Sequence, residues 1–271
     1  MEIVKPPARG RLRHAVLDFD GTLSFLRDGW QDIMVPMMVE ILEDCPRRED
    51  HAEIERLVID FVDHLTGKQT IYQMIRLAEE VEKRGGTPRD PMDYKREYNR
   101  RIAIDVEGRI ARLKAGKASA DEFLVRGGRA FLDGLKARGM RCYLASGTDV
   151  ELVIEEARVL GIDRYFDGGI FGALTNYKDF SKEKVLRQIL TDFHLEGSGL
   201  LVVGDGYVEI QNGRDVDAVT VGIYTAEENR YHMNADKRDR LFRAGAHLLA
   251  PDLAEGNAIL DYLGAPVQKQ L

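Results

Sequence analysis

The stretch HAVLDFDGTLS, residues 14–24, decides the expected architecture of this protein. Its apolar residues 15–17 predict a buried strand that runs directly into Asp18, and a second acid, Asp20, follows two positions later. Carboxylates resist burial and repel one another, so two of them at the tip of a core strand need an explanation. One explanation is structural, because Asp-Gly-Thr is also favourable turn chemistry. The other is a functional site at the end of the strand.

The composition is that of an ordinary globular protein. The chain has 271 residues, of which 44% are hydrophobic, and a formal net charge of -7, which argues against nucleic acid as the main partner. The N-terminal residues hold no apolar signal core, and no apolar run approaches the ~20 residues of a membrane span. The cysteines, Cys45 and Cys142, are far apart and are interpreted as reduced thiols. We therefore expect a soluble, cytoplasmic protein with neither a membrane nor a nucleic acid as partner.

Residues 25–126 have the pattern of a helical insertion. Apolar residues recur at helical spacing from Trp30 and again from Ile54. Capping residues precede four of the expected helices, namely Asp28, Asp50, Asp90 and Ser119. The apolar stripe that begins at Trp30 is interpreted as the core of this insertion, although one of residues 27–30 could face a pocket. With no strand pattern inside it, residues 25–126 are predicted to form an α-helical cap domain.

After the insertion, apolar strands alternate with helices. The expected strands are MRCYLAS, GLLVVGD, AVTVGI and AHLLA, and Thr148 and Ser181 are the expected N-caps of two intervening helices. This alternation is typical of a parallel sheet covered by helices on both faces. We predict an α/β fold with a Rossmann-like, doubly wound parallel sheet. Residues 1–24 and 127–271 would form this core, which carries the helical cap of residues 25–126 as an insertion.

Polar residues follow three of the expected strands. They are Asp18, Ser146 with Gly147, and Asp205 with Glu209 four residues further on. Because the carboxyl ends of parallel strands meet at one edge of a sheet, we expect these groups to converge there.

The acids of this set match a hard cation. Asp18 and Asp205, with Glu209 behind them, offer oxygen ligands for which Mg²⁺ is the natural choice. Such a cation would remove the repulsion between the acids and let a phosphate approach Asp18, which could then attack phosphorus. Asp20 could protonate the leaving oxygen and afterwards activate water.

The other polar groups match the oxygens of a phosphoryl group. Ser146, the backbone N–H of Gly147 and Lys182 would bind these oxygens as negative charge develops. Lys184 is the alternative lysine in SKEK, but Lys182 has the better spacing to the apolar pair that follows. Each residue also has a structural alternative: a strand-end hydroxyl for Ser146, a solvated lysine at a helix start, and a surface helix position for Glu209.

Four segments in sequence order resemble the motifs of the haloacid dehalogenase superfamily of phosphatases and related enzymes. DFDGTLS is similar to the first motif, YLASGT to the second, SKEKVL to the third and VVGDGYVEI to the fourth. The helical insertion directly after the first motif resembles the subgroup whose mobile cap lies there. The resemblance covers the whole expected core and implies its fold.

The resemblance also implies residue roles. Asp18 would be the nucleophile and Asp20 the acid/base, with the backbone carbonyl of Asp20 bound to the metal. Ser146 and Lys182 would bind phosphate, and Asp205 would be a metal ligand. At Glu209 the chain departs from the pattern, which more often has Asp, and the longer side chain could reach the metal directly or through water.

Several reactions share this scaffold, so the fold leaves the function open. Asp20 argues against a dehalogenase and against a phosphonate hydrolase. The favoured hypothesis is Mg²⁺-dependent hydrolysis of a small phosphorylated metabolite, such as a sugar phosphate, through an aspartyl phosphate. The alternatives are a phosphosugar mutase and a non-catalytic binding protein. Arg126 could reach a second anionic group of a substrate or be a linker charge, and the oligomeric state is left open.

Overall fold

A computed structural model describes residues 1–226 and 231–265 of the chain. The strands of its sheet are β1 (Glu2–Ile3), β2 (His14–Leu17), β3 (Arg141–Asp149), β4 (Gly169–Ala173), β5 (Leu200–Gly204), β6 (Val219–Ile223) and β7 (Leu248–Ala250). They form one seven-stranded sheet in the order β1-β7-β6-β5-β2-β3-β4. The expected core range, 127–271, includes residues 227–230 and 266–271, which lie outside the described residues.

The sheet is parallel except at one edge, where β1 pairs with β7 in the antiparallel sense. Strand β2 lies at the centre, with Leu17 opposite Leu144 of β3 on one side and opposite Val203 of β5 on the other. The carboxyl ends of these three strands therefore lie at one level. Every residue of β2, β5 and β6 is buried, as expected of parallel strands covered on both faces. The predicted α/β, Rossmann-like fold is confirmed.

The insertion is helical, as its sequence pattern indicates. Its helices are α1 (Trp30–Glu43), α2 (His51–Leu65), α3 (Thr70–Lys83) and α4 (Pro91–Lys114). Asp90 caps α4 by accepting a hydrogen bond from the Met92 amide. The expected cap Asp28 is wrong, because α1 begins after Gly29, whose φ of 79° suits a residue without a Cβ. The division into a core and a separate cap domain stays a prediction.

Six helices of the described residues cover the core. They are α5 (Gly128–Ala137), α6 (Val150–Val159), α7 (Lys182–Asp192), α8 (Tyr207–Asp215), α9 (Ala235–Arg243) and α10 (Gly256–Tyr262). Ser181 caps α7, as predicted, by accepting from the Lys184 amide. Thr148 does not cap α6, because β3 continues to Asp149 and Asp149 takes the N-cap position. This extra length leaves the Thr148 side chain at the strand end, where it contacts Asp20.

Two further expectations concern the cysteines and membrane-spanning helices. Both cysteines, Cys45 and Cys142, are buried and unbridged. A search of the helices within residues 1–226 and 231–265 finds none with the length and apolar character needed to cross a membrane.

Candidate active site

The candidate site begins at the carboxyl end of the central strand. The Asp18 amide donates a hydrogen bond of 2.9 Å to the carbonyl of Val203 in β5, which continues the β2–β5 ladder by one residue. The Asp18 side chain is 7% exposed, so the sheet delivers a carboxylate to a nearly buried position. Such a group needs partners that offset its loss of hydration.

Lys182 is the main partner of Asp18. Its ammonium group donates to Asp18 Oδ1 over 2.6 Å and also to Glu209 Oε1, and all three side chains are buried. Burial lowers the pKa of Lys182, but the two carboxylates outweigh it and raise the pKa well above its usual range. Burial also raises the pKa of Asp18, against the opposing effect of Lys182. Lys184 is exposed and directs its ammonium to the carbonyl of Lys178, away from the acids.

A second lysine, Lys237 of α9, binds Asp205. Its ammonium group donates to Asp205 Oδ2 over 2.7 Å, and Asp205 Oδ1 accepts from the Thr22 hydroxyl over 3.1 Å. The same Thr22 hydroxyl lies 3.5 Å from Asp18 Oδ2, so the two carboxylates face one oxygen atom. Gly21 makes this approach possible, because a Cβ there would lie 2.2 Å from Asp205 Oδ2.

Asp20 faces a different set of groups. Its Oδ2 accepts hydrogen bonds from the hydroxyls of Ser146, at 3.1 Å, and Thr148, at 2.9 Å. Its Oδ1 lies 4.0 Å from the guanidinium of Arg27, which is held in a bidentate pair by Glu156. Burial raises the pKa of Glu156 to about 7, with Arg27 acting against it. Asp18 and Asp20 thus project toward separate partners at the same sheet edge.

The phosphate-binding candidates of the second motif lie in residues 146–149, the end of β3 where its pairing with β4 shifts register, and this segment is called the 146–149 loop. The Ser146 hydroxyl accepts from the Thr148 amide over 3.0 Å, which fixes the turn around Gly147. A Cβ on Gly147 would lie 2.7 Å from the Lys68 carbonyl in the α2–α3 loop. The core and the insertion therefore approach closely at residue 147.

The acidic side chains of the site offer oxygen ligands of the kind that a magnesium ion binds. Within residues 1–226 and 231–265, no group of three or more His, Cys, Asp or Glu side chains is arranged to hold a metal. Lysines bind Asp18 Oδ1, Glu209 Oε1 and Asp205 Oδ2, while Asp20 Oδ1 and Glu209 Oε2 are buried without a hydrogen-bond partner among the described residues. Asp18 and Asp205 are the pair of carboxylates that face one another, across the Thr22 hydroxyl. Mg²⁺ is commonly held by one or two carboxylates with water and substrate phosphate, so this smaller set fits it. The metal-binding roles of all four acids stay predictions.

A cavity of about 100 Å³ lies above the acids, between the core and the insertion. The insertion supplies one wall through Arg27, Trp30, Met34, Lys68, Gln73 and Tyr98. Trp30 and Met34 of the apolar stripe that the sequence assigned to the insertion core thus border the cavity, while Met37 and Met38 are fully buried. Arg126 instead pairs with Asp252, 2.8 Å away, and acts as a linker charge.

Sequence reasoning missed several groups of this site. Thr22 lies within the first motif, and its position in Asp-Gly-Thr was a usable signal. Lys237 stands in a charged helix with no motif around it, so only the tertiary structure reveals its contact with Asp205. The loop of residues 66–70 is also unmarked in the sequence, because what matters is where α2 and α3 place it.

Solved structures with low sequence identity share this fold. A predicted phosphatase from Clostridium acetobutylicum has a TM-score of 0.62 at 17% identity, over 92% of this chain and 99% of its own. A predicted phosphoglycolate phosphatase from Haemophilus somnus 129PT has a TM-score of 0.61 at 16% identity, over 92% and 98%. A β-phosphoglucomutase from Clostridium difficile has a TM-score of 0.61 at 13% identity, over 93% and 97%.

The family comparison agrees with the geometry of the site. A search of curated proteins found no match. The model of the haloacid dehalogenase-like hydrolases matches residues 12–217, a range that includes all four motifs. The chain therefore belongs to the haloacid dehalogenase-like hydrolase family.

Proposed function

We propose that this hydrolase is a magnesium-dependent phosphatase that acts on a small phosphomonoester through a phosphorylated Asp18. The observation that carries the proposal is the Asp18 carboxylate itself. It is almost fully buried, bound by Lys182 on one oxygen, and borders the cavity through which a substrate would reach it. Burying an acid costs folding free energy, so the presence of a buried acid beside a cavity supports a functional role for it.

The charges of the site can accept a phosphate ester as substrate if a cation binds there as well. Asp18, Asp205 and Glu209 carry three carboxylates against the two ammonium groups of Lys182 and Lys237. The excess negative charge would repel a phosphate dianion. A magnesium ion held by Asp18 and Asp205 would supply the neutralising charge and polarise the phosphate oxygens.

In the first half of the reaction, each residue of the site has a separate role. Asp18 attacks phosphorus, so a bond from its carboxylate oxygen to phosphorus forms while the ester bond breaks. Asp20 gives its proton to the departing alcohol oxygen. The Lys182 ammonium, the Ser146 hydroxyl and the Gly147 N–H bind the remaining phosphate oxygens.

The second half of the reaction restores the enzyme. Asp20, now ionised, takes a proton from a water molecule, whose oxygen attacks the phosphorus of the phosphorylated Asp18. The bond from phosphorus to the aspartate oxygen breaks, and inorganic phosphate leaves. The Thr148 hydroxyl, which donates to Asp20 Oδ2, holds its carboxylate in one orientation for both proton transfers.

The test is a panel of phosphomonoesters assayed for phosphate release with Mg²⁺ and with EDTA. We expect turnover of at least one ester that EDTA abolishes, and a loss of at least about a thousandfold in Asp18→Asn. Asp192→Asn, an exposed acid on α7, is the matched control and should keep full turnover. Retained turnover in a folded Asp18→Asn variant would contradict the mechanism.

One outcome would favour a mutase instead. Structures with this fold include a β-phosphoglucomutase from Clostridium difficile, which supports keeping a hexose phosphate in the panel. Isomerisation of that ester, primed by a bisphosphate and without net phosphate release, would replace hydrolysis as the function. No turnover of any ester and no Mg²⁺ binding would leave a binding protein on this fold.

A further inference from the structure

A buried polar contact joins the insertion to the loop that carries the phosphate-binding candidates. Lys95 and Asn99, one turn apart on α4, both donate to the carboxylate of Asp149. Asn99 Nδ2 lies 2.9 Å from Asp149 Oδ2, and Lys95 binds Oδ1. The Lys95 side chain is only 5% exposed, so its ammonium group depends on this acid for its charge balance.

The side chain of Asp149 does not serve the helix that Asp149 precedes, α6. It is the N-cap residue of α6, yet its side chain makes no capping hydrogen bond. Its carboxylate turns across to α4 instead, where both oxygens are bound. Three residues earlier stands Ser146, and the intervening turn holds the Gly147 N–H and the Thr148 hydroxyl that binds Asp20. The contact therefore fixes the far end of the loop of residues 146–149.

The α2 and α3 end of the insertion makes matching contacts with the other active-site loops. The buried Gln69 amide donates to the carbonyls of Tyr177, at 2.9 Å, and Phe180, at 2.8 Å, just before Lys182. The Tyr207 hydroxyl, two residues after Asp205, donates to the His64 carbonyl over 2.8 Å. Each of these is a single neutral group bound to backbone. The Asp149 contact differs because it carries charge and uses two side chains of the insertion.

We propose that Lys95 and Asn99 are positioning residues, which hold the 146–149 loop through Asp149 in the geometry that binds a phosphoryl group. The proposal rests on the proposed function, since it assigns the loop to phosphate. Neither residue touches the reacting atoms. When α4 moves away, Asp149 loses both donors, and the turn that aims Ser146, Gly147 and Thr148 loses its anchor.

The experiment compares Lys95→Met, Asp149→Asn and the double variant with a matched control, Arg96→Met. Arg96 is the next residue on α4, is exposed, and pairs with Asp93 inside the same helix. Lys95→Met should weaken binding of inorganic phosphate in Mg²⁺ by about tenfold, the size expected when the displaced residues 146–149 make one hydrogen bond fewer to the charged phosphate. It should lower kcat/KM by up to about a hundredfold, as small misplacements of catalytic groups do. Arg96→Met should change neither by more than about twofold.

Two further readouts separate positioning from simple loss of stability. Amide hydrogen exchange should rise in residues 146–150 of Lys95→Met while residues 200–204 of β5 keep their protection. The double variant should be no worse than either single variant, because both remove the same interaction. Should Lys95→Met fail to fold, Asp149→Asn carries the same comparison, since it keeps a carbonyl oxygen for Asn99.

Each result decides the proposal. Unchanged phosphate binding, unchanged exchange in 146–150, or additive effects in the double variant would overturn it. Phosphate titration and exchange need no turnover, so they give an answer even if no ester is hydrolysed. Absent turnover in the unmodified protein would instead count against the proposed function alone.

Discussion

The two walls of the active-site cavity are built by different kinds of interaction. On the core side, strand ends deliver charged groups to fixed positions, and the buried Lys182 binds Asp18 and Glu209 directly. On the insertion side, helices meet the core through polar contacts made by Gln69 and by Lys95. The core wall is thus set by the register of one sheet, whereas the insertion wall depends on docking. Substitutions in the core wall should therefore abolish catalysis, whereas substitutions in the insertion wall should reduce it partially.

The largest effect is expected from Lys182→Met on the core wall. This change leaves Asp18 and Glu209 as neighbouring buried acids without their shared cation. We expect phosphate release to fall by about 10²–10³-fold and the free energy of unfolding to fall by about 3–5 kcal/mol. Enzyme assays and urea denaturation measure the two losses.

The control for that prediction lies two residues away. Lys184→Met removes an exposed lysine of the same helix turn whose ammonium group points to the Lys178 carbonyl. Its activity and stability should stay close to those of the unmodified protein. A larger loss in Lys184→Met than in Lys182→Met would reverse the assignment of the third motif.

An intermediate effect is expected from Gly147→Ala, which acts between the two walls. The added Cβ would lie 2.7 Å from the Lys68 carbonyl, so the α2–α3 loop must move away from the core. The backbone N–H at residue 147, which is the proposed phosphate donor, is kept. We expect kcat/KM to fall about tenfold or more, as for other small displacements near a site, with little change in the urea midpoint.

Gly108→Ala tests whether that loss is specific to the junction. Gly108 lies in α4, and a Cβ there meets no atom within 4 Å. This variant should keep its activity and gain up to about 1 kcal/mol of stability from improved helix propensity. Equal activity in both glycine variants would show that the close contact between residue 147 and the α2–α3 loop does not affect catalysis.

The smallest effect concerns a buried group of the core remote from either wall. His247 lies beside β7, where burial and Arg214 lower its pKa to about 4 from an ordinary value of 6.5. Because the folded pKa is depressed, the unfolded chain takes up the proton first, and stability is lost as the pH falls from 6.5 toward 4. Between pH 7 and pH 5.5 we expect a loss of about 1 kcal/mol.

That pH dependence should decrease in His247→Gln and persist in His51→Gln. His51 is exposed and bound only to Glu43, so it reports on titration outside the core. Urea denaturation at both pH values gives the comparison. An unchanged slope in His247→Gln would mean that other groups dominate the acid response.

The sequence predicted the core wall far better than the insertion wall. Apolar strands with polar tips place Asp18, Ser146 and Asp205 at one sheet edge, because parallel strands impose that convergence. The helix start at Ser181 likewise predicts which lysine faces inward. Short sequence patterns identify these groups, and the arrangement of the strands in the sheet determines where each group lies.

The remaining contacts of the site join residues that are far apart in the sequence, and no local sequence pattern predicts such pairs. Lys95 and Asp149 are separated by 54 residues, and Lys237 and Asp205 by 32. The capping residue Asp90 located the start of α4 correctly, but the sequence could not say which polar residues of this helix would cross to the core. Thr148 shows the same limit at short range, since an extra three residues of strand turned an expected helix cap into a partner of Asp20.

The strand order has a consequence for the synthesis of the chain. The first strand, β1, pairs only with β7, so Glu2 finds its partner Leu249 near the other end of the sequence. The central strand β2 must likewise wait for β3 and β5, with the whole helical insertion made in between. Closing such long loops makes folding slow and leaves early strands without neighbours. A nascent chain that stops short of β5 therefore exposes an apolar strand with an unfilled edge, the kind of species that chaperones protect.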